Sequence, residues 1–101
     1  MKVEIRDAEA VRKIHWLAAV NYLRARSWKE DPTAPKRAPL WHLTVDGEEY
    51  EVLMPTSKKI PDYALRMGDM LQVLAAAEQR SQLDIYQDLM AATAALATDD
   101  E

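Results

Sequence analysis

Apolar and polar positions alternate with a period of two through WHLTVDGEEYEVLMP, residues 41–55. That spacing sends successive side chains to opposite faces of a strand. Asp46-Gly47 interrupts the run. A type I′ turn needs positive φ at both central residues, so this dipeptide predicts a two-residue hairpin. Such a turn fixes the register. Val45 faces Glu48, Leu43 faces Tyr50 and Trp41 faces Val52 on an apolar side. Thr44 faces Glu49, His42 faces Glu51 and Leu40 faces Leu53 on the other. Pro55 ends the second strand. Two strands alone are marginal in water, so the apolar side must rest on helices. The alternation of Val3 and Ile5 with Lys2, Glu4 and Arg6 predicts a further short strand over 1–6.

Elsewhere the period changes to three and four. Asp7 is a candidate N-cap for a helix over about 8–27. Val11, Ile14, Ala18, Tyr22 and Ala25 form one apolar stripe of that helix. Trp16, Ala19, Val20 and Leu23 form a second, on roughly the opposite side. A helix at the edge of a small domain needs only one. Residues 28–39, WKEDPTAPKRAP, carry three prolines and predict a linker without helix or central strand. A helix over about 62–79 follows, with Tyr63, Met67, Met70, Leu71 and Leu74 on one stripe. Gly68 costs it roughly 1 kcal/mol relative to alanine, unless another backbone approaches there. Ser81-Gln82-Leu83-Asp84 resembles a capping box and opens a last helix over about 82–97. The order β-α-β-β-α-α predicts an α+β fold, a small antiparallel sheet on three helices. We read residues 1–97 as one domain and 98–101 as a frayed acidic tail.

Composition narrows the function. The 101 residues are 49% hydrophobic and 30% charged, which suits a folded soluble domain and not a disordered chain. Two glycines are too few for a glycine-rich phosphate loop, and the absence of cysteine excludes disulfides and thiolate chemistry. That absence, with no apolar run long enough for a signal peptide or a membrane span, suggests a cytoplasmic protein. Residues 1–60 hold 11 Lys/Arg and 9 Asp/Glu, whereas residues 61–101 hold 2 and 8. Balances of +2 and −6 give a mildly basic first part and an acidic last part, which could attract each other or a partner.

Candidate chemistry is sparse. His42 with Glu51 is the best-placed acid–base pair. Without a nucleophile nearby, it reads first as a cross-strand pair on a wet face. His15 has no helical metal partner at i+4, and Asp84 with Asp88 lacks a histidine. No catalytic residue, metal ligand set or cofactor is therefore expected. Arg24, Arg26, Trp28, Lys29, Lys36 and Arg37 gather around the linker, where cations beside an aromatic could hold a nucleic acid. Glu30 and Asp31 interrupt that cluster, and the net charge of −4 opposes it.

The wording YLRARSW at 22–28, VLMP at 52–55, DYALRM at 62–67 and EQRSQL at 78–83 resembles an uncharacterised group of bacterial proteins. Their pattern runs YLRxxxW, VxP, DYAxRM and ExRSxL. Members are usually longer and commonly place glycine where this chain has Ser27. The resemblance implies a recurring domain and carries no activity. The reading that follows is a non-enzymatic interaction module. Trp16, Ala19, Val20 and Leu23 are the expected contact surface, and a homodimer is the expected form. The alternatives are nucleic-acid binding through the basic cluster and small-ligand sensing. No membrane association is expected.

Overall fold

In the computed structural model, residues 8–36 and 38–99 are described, with side chains as far as residue 96. The strand expected at 1–6 and the cap expected at Asp7 lie outside the described residues, as do Arg37 and the last two residues.

The hairpin forms as the turn chemistry dictates. Strand β2 (Leu40–Val45) pairs antiparallel with β3 (Glu48–Leu53), with Trp41 opposite Val52 and Val45 opposite Glu48. Asp46 and Gly47 take the positive φ values, 51° and 84°, that the turn requires. Trp41 and Val52 are buried, so the predicted side is the core side. The third strand comes from an unexpected place. Lys29–Glu30, inside the segment read as a linker, forms β1 and pairs antiparallel with β2, giving the order β1-β2-β3. The three prolines all lie after it, so none removes a donor from this two-residue ladder.

The long helix expected at 8–27 is two helices, α1 (Ala8–Arg12) and α2 (Trp16–Ala25). No glycine or proline marks the break. Distant residues hold it open. The Tyr63 hydroxyl donates to the Ile14 carbonyl, and the Tyr86 hydroxyl donates to the Ala10 carbonyl at 3.1 Å. The His15 N–H donates to Thr93 Oγ1 at 3.1 Å. His15 then caps α2, its Nδ1 accepting from the Leu17 N–H at 3.1 Å. The Ile14 carbonyl and the His15 and Leu17 N–H groups at the break thus have partners. The bend also lets both apolar stripes reach one core: Val11 and Ile14 before it, Ala18, Ala19, Tyr22 and Leu23 after it.

Helix α2 closes in a Schellman motif. The Trp28 N–H bonds the Leu23 carbonyl and the Ser27 N–H bonds the Arg24 carbonyl, with Ser27 at φ 70°. The reversal swings Trp28 back onto the core, where it is 3% exposed. Helices α3 (Tyr63–Glu78) and α4 (Gln82–Asp99) complete the fold, joined by a second left-handed cap at Gln79. Ser81 caps α4, its hydroxyl oxygen accepting from the Asp84 N–H at 3.1 Å. Helix α3 lies against β3, α1 and α4, while α2 packs on α4. Met67, Leu71, Leu74, Ile85 and Leu89 are fully buried between them. Among the described residues, no helix is long and apolar enough to cross a membrane.

Candidate functional site

Two surfaces gather chemistry. The first is the solvent face of the hairpin. The register places His42 opposite Glu51, and the pleat brings Glu49 onto the same face. His42 Nδ1 is 3.2 Å from Glu51 Oε2 and 3.9 Å from Glu49 Oε2. Its Nε2 is 3.1 Å from Asp31 Oδ2. Asp31 follows β1 and is fixed by its own turn, accepting from Thr33 N–H at 2.8 Å and Thr33 Oγ1–H at 2.7 Å. Those two bonds hold its carboxyl down at about 2, helped by His42. The bond to Asp31 raises the His42 pKa above its ordinary value. Partial burial opposes the shift, and Glu51 and Glu49 add to it.

The His42–Glu51 pair was legible in the sequence, whereas Asp31 was not. The sequence signal for Asp31 is Asp-Pro-Thr, which supports an aspartate bonding its own backbone two residues on. Glu51 lines a cleft of about 280 Å³ with Arg66, Asp69 and Met70.

The second surface is the outer side of α2. Ala19 and Leu23, expected in a contact patch, are fully buried in the chain's own core. The bend at His15 turned them inward. Trp16 and Val20 are only partly buried, and Leu17, which lay in neither stripe, is 39% exposed. These three line a groove of about 190 Å³ together with Arg24, Trp41, Pro39 and Pro55. The basic cluster is dispersed. Trp28 is in the core and cannot stack on a base. Arg26 lies over the Tyr22 ring at 3.8 Å and pairs with Glu78 at 3.1 Å and, more loosely, with Asp88 at 3.7 Å. Arg80 bridges the same two carboxylates at 3.0 and 2.8 Å. Asp88 is thus engaged in a lock between α2 and the α3–α4 corner. Burial, then Glu78, raises the Tyr22 pKa. Part of the basic–acidic attraction is therefore spent within the chain. Arg24 sits over the Trp41 ring at 5.7 Å, and Lys29 and Lys36 are exposed.

No protein-family model, no curated protein and no solved structure matches this chain, so its functional reading rests on its own geometry.

Proposed function

We propose that this protein is a non-enzymatic interaction module that self-associates as a homodimer through the Trp16–Leu17–Val20 side of α2. The observation that carries the reading is Leu17. It stands exposed between two large half-buried apolar side chains, above a groove walled by two prolines and Trp41. Leu65 is more exposed, but its cleft has no aromatic wall and is lined by Asp69, Gln72 and Gly68 beside Val11 and two alanines.

A two-fold contact must be complementary to itself. The groove carries one cation and one anion, Arg24 and Glu30. A two-fold axis passing between them would bring each toward its opposite on the second copy. Trp16 is the residue type that tends to dominate such contacts. The cysteine-free composition suits a cytoplasmic setting.

Light scattering after size exclusion tests the proposal. We expect twice the chain mass at high micromolar concentration. A monomer mass under those conditions refutes self-association.

A further inference from the structure

The geometry points to a divalent metal site on the outer face of the hairpin, built from His42 Nδ1 and one carboxylate oxygen each of Glu49 and Glu51. The ligand atoms of these three residues lie within 4.8 Å of one another. Two of the three already approach the imidazole nitrogen, at 3.2 and 3.9 Å. Both glutamates are exposed, so ordinary rotamer changes can draw their oxygens to the roughly 2.0–2.2 Å that zinc requires.

A second observation is how the imidazole is held. Asp31 takes the Nε2 side of the ring, and an ionised carboxylate only accepts, so the Nε2 proton belongs to that bond. Nδ1 is shut off from solvent and faces Glu51 Oε2 at 3.2 Å outside hydrogen-bond geometry. Once deprotonated, it offers a lone pair to the point on which both glutamates converge, so a metal bound there displaces a proton. Three acceptors converging on one point need a cation between them, a proton on Nδ1 or a metal ion in its place. Asp31 acts on this imidazole as carboxylates do behind metal-bound histidines, fixing tautomer and ring orientation. Asp31 is in turn fixed by Thr33. Counting Lys29, which pairs with His42 across β1, the three carboxylates leave a local charge of about −2, matched to a dication.

One imidazole with two carboxylates suits zinc and its first-row neighbours. Calcium and magnesium prefer oxygen alone, and copper(I) prefers sulfur. With three protein ligands, at least one coordination position is left for water or for a side chain of a bound partner.

The test is calorimetric titration of the full chain, stripped with a chelator, with zinc chloride. We expect one equivalent to bind. Affinity should fall at least about tenfold in His42→Ala and in the double variant Glu49→Gln/Glu51→Gln, whose exposed positions leave the fold intact by circular dichroism. Asp31→Asn should weaken binding about 10- to 100-fold, the usual cost of losing such a supporting carboxylate. His15→Gln should change nothing. Failure to bind zinc overturns the site, and so does zinc binding unchanged in the double variant. Calcium binding as tightly as zinc also overturns it, because that is the behaviour of a diffuse acidic surface.

Discussion

The break between α1 and α2 sets which face of α2 meets solvent, and one hydroxyl at its centre can be removed cleanly. Tyr63→Phe keeps the ring in the core and deletes only the donor to the Ile14 carbonyl. Tyr63 and Ile14 are both fully buried, so water does not replace the lost bond. A buried acceptor left unsatisfied costs about 1–3 kcal/mol. For a domain of this size, each kcal/mol is worth roughly 4–8 °C in Tm. Urea slopes for small proteins are about 1–3 kcal/mol per molar, so the urea midpoint should fall by roughly 1 M. Tyr86→Phe is the comparison. Its bond to Ala10 is only partly buried, and the loss should stay near 1 kcal/mol, the typical net worth of one hydrogen bond. The assay is urea unfolding followed by tryptophan fluorescence and by circular dichroism. If Tyr63→Phe unfolds within about 0.3 kcal/mol of wild type, below the range for a lost buried bond, the break is not held from α3 and the reasoning fails.

Other outcomes follow from single positions. Ser27, at φ 70°, is strained for an L residue, so Ser27→Gly should raise stability by about 0.5–1 kcal/mol in urea unfolding. A Cβ added at Gly68 meets nothing within 4 Å, so Gly68→Ala should gain roughly 1 kcal/mol; a loss would mean that the helix is constrained there. Burial pushes the Tyr63 pKa from 10 up to about 12. A raised pKa gives stability that is complete below the unfolded value and is lost as pH rises through the folded one. Circular dichroism should therefore show stability draining between pH 10 and 12, less steeply in Tyr63→Phe; equal slopes would contradict the assignment. With Trp28 buried and Arg26 paired, fluorescence anisotropy against single- and double-stranded DNA and RNA at low salt should show no saturable binding.

What the sequence disclosed was local. Asp46-Gly47 determines its own turn, the turn sets the register, and the register sets the sides, so the hairpin and the His42–Glu51 pair could be read directly. Helix α3 was equally legible from its stripe, and α4 from the Ser81 cap. The break at His15 was not, because its partners Tyr63 and Thr93 lie 49 and 78 residues away along the chain. The second stripe of helix 1 looked unpartnered only because the helix was read as straight. Bending it buried Ala19 and Leu23 and left Leu17 outside. Trp28 was misplaced because Ser27 occupies the left-handed cap where glycine would have signalled the reversal. Strand β1 is two residues long and carries no period. Asp31 reached the His42 cluster through it, so the fourth member of that cluster could be seen only in three dimensions.

Sedimentation equilibrium of wild type beside Leu17→Asp tests the interaction surface most directly. Burying a leucine is worth about 1.5–3 kcal/mol and each 1.4 kcal/mol is tenfold in Kd. Losing Leu17 from both copies should therefore weaken the dimer at least about tenfold. The urea stability of the monomer should remain near wild type, since the side chain is already exposed. A wild-type chain that stays monomeric, or a dimer whose Kd is the same in both proteins, contradicts the account.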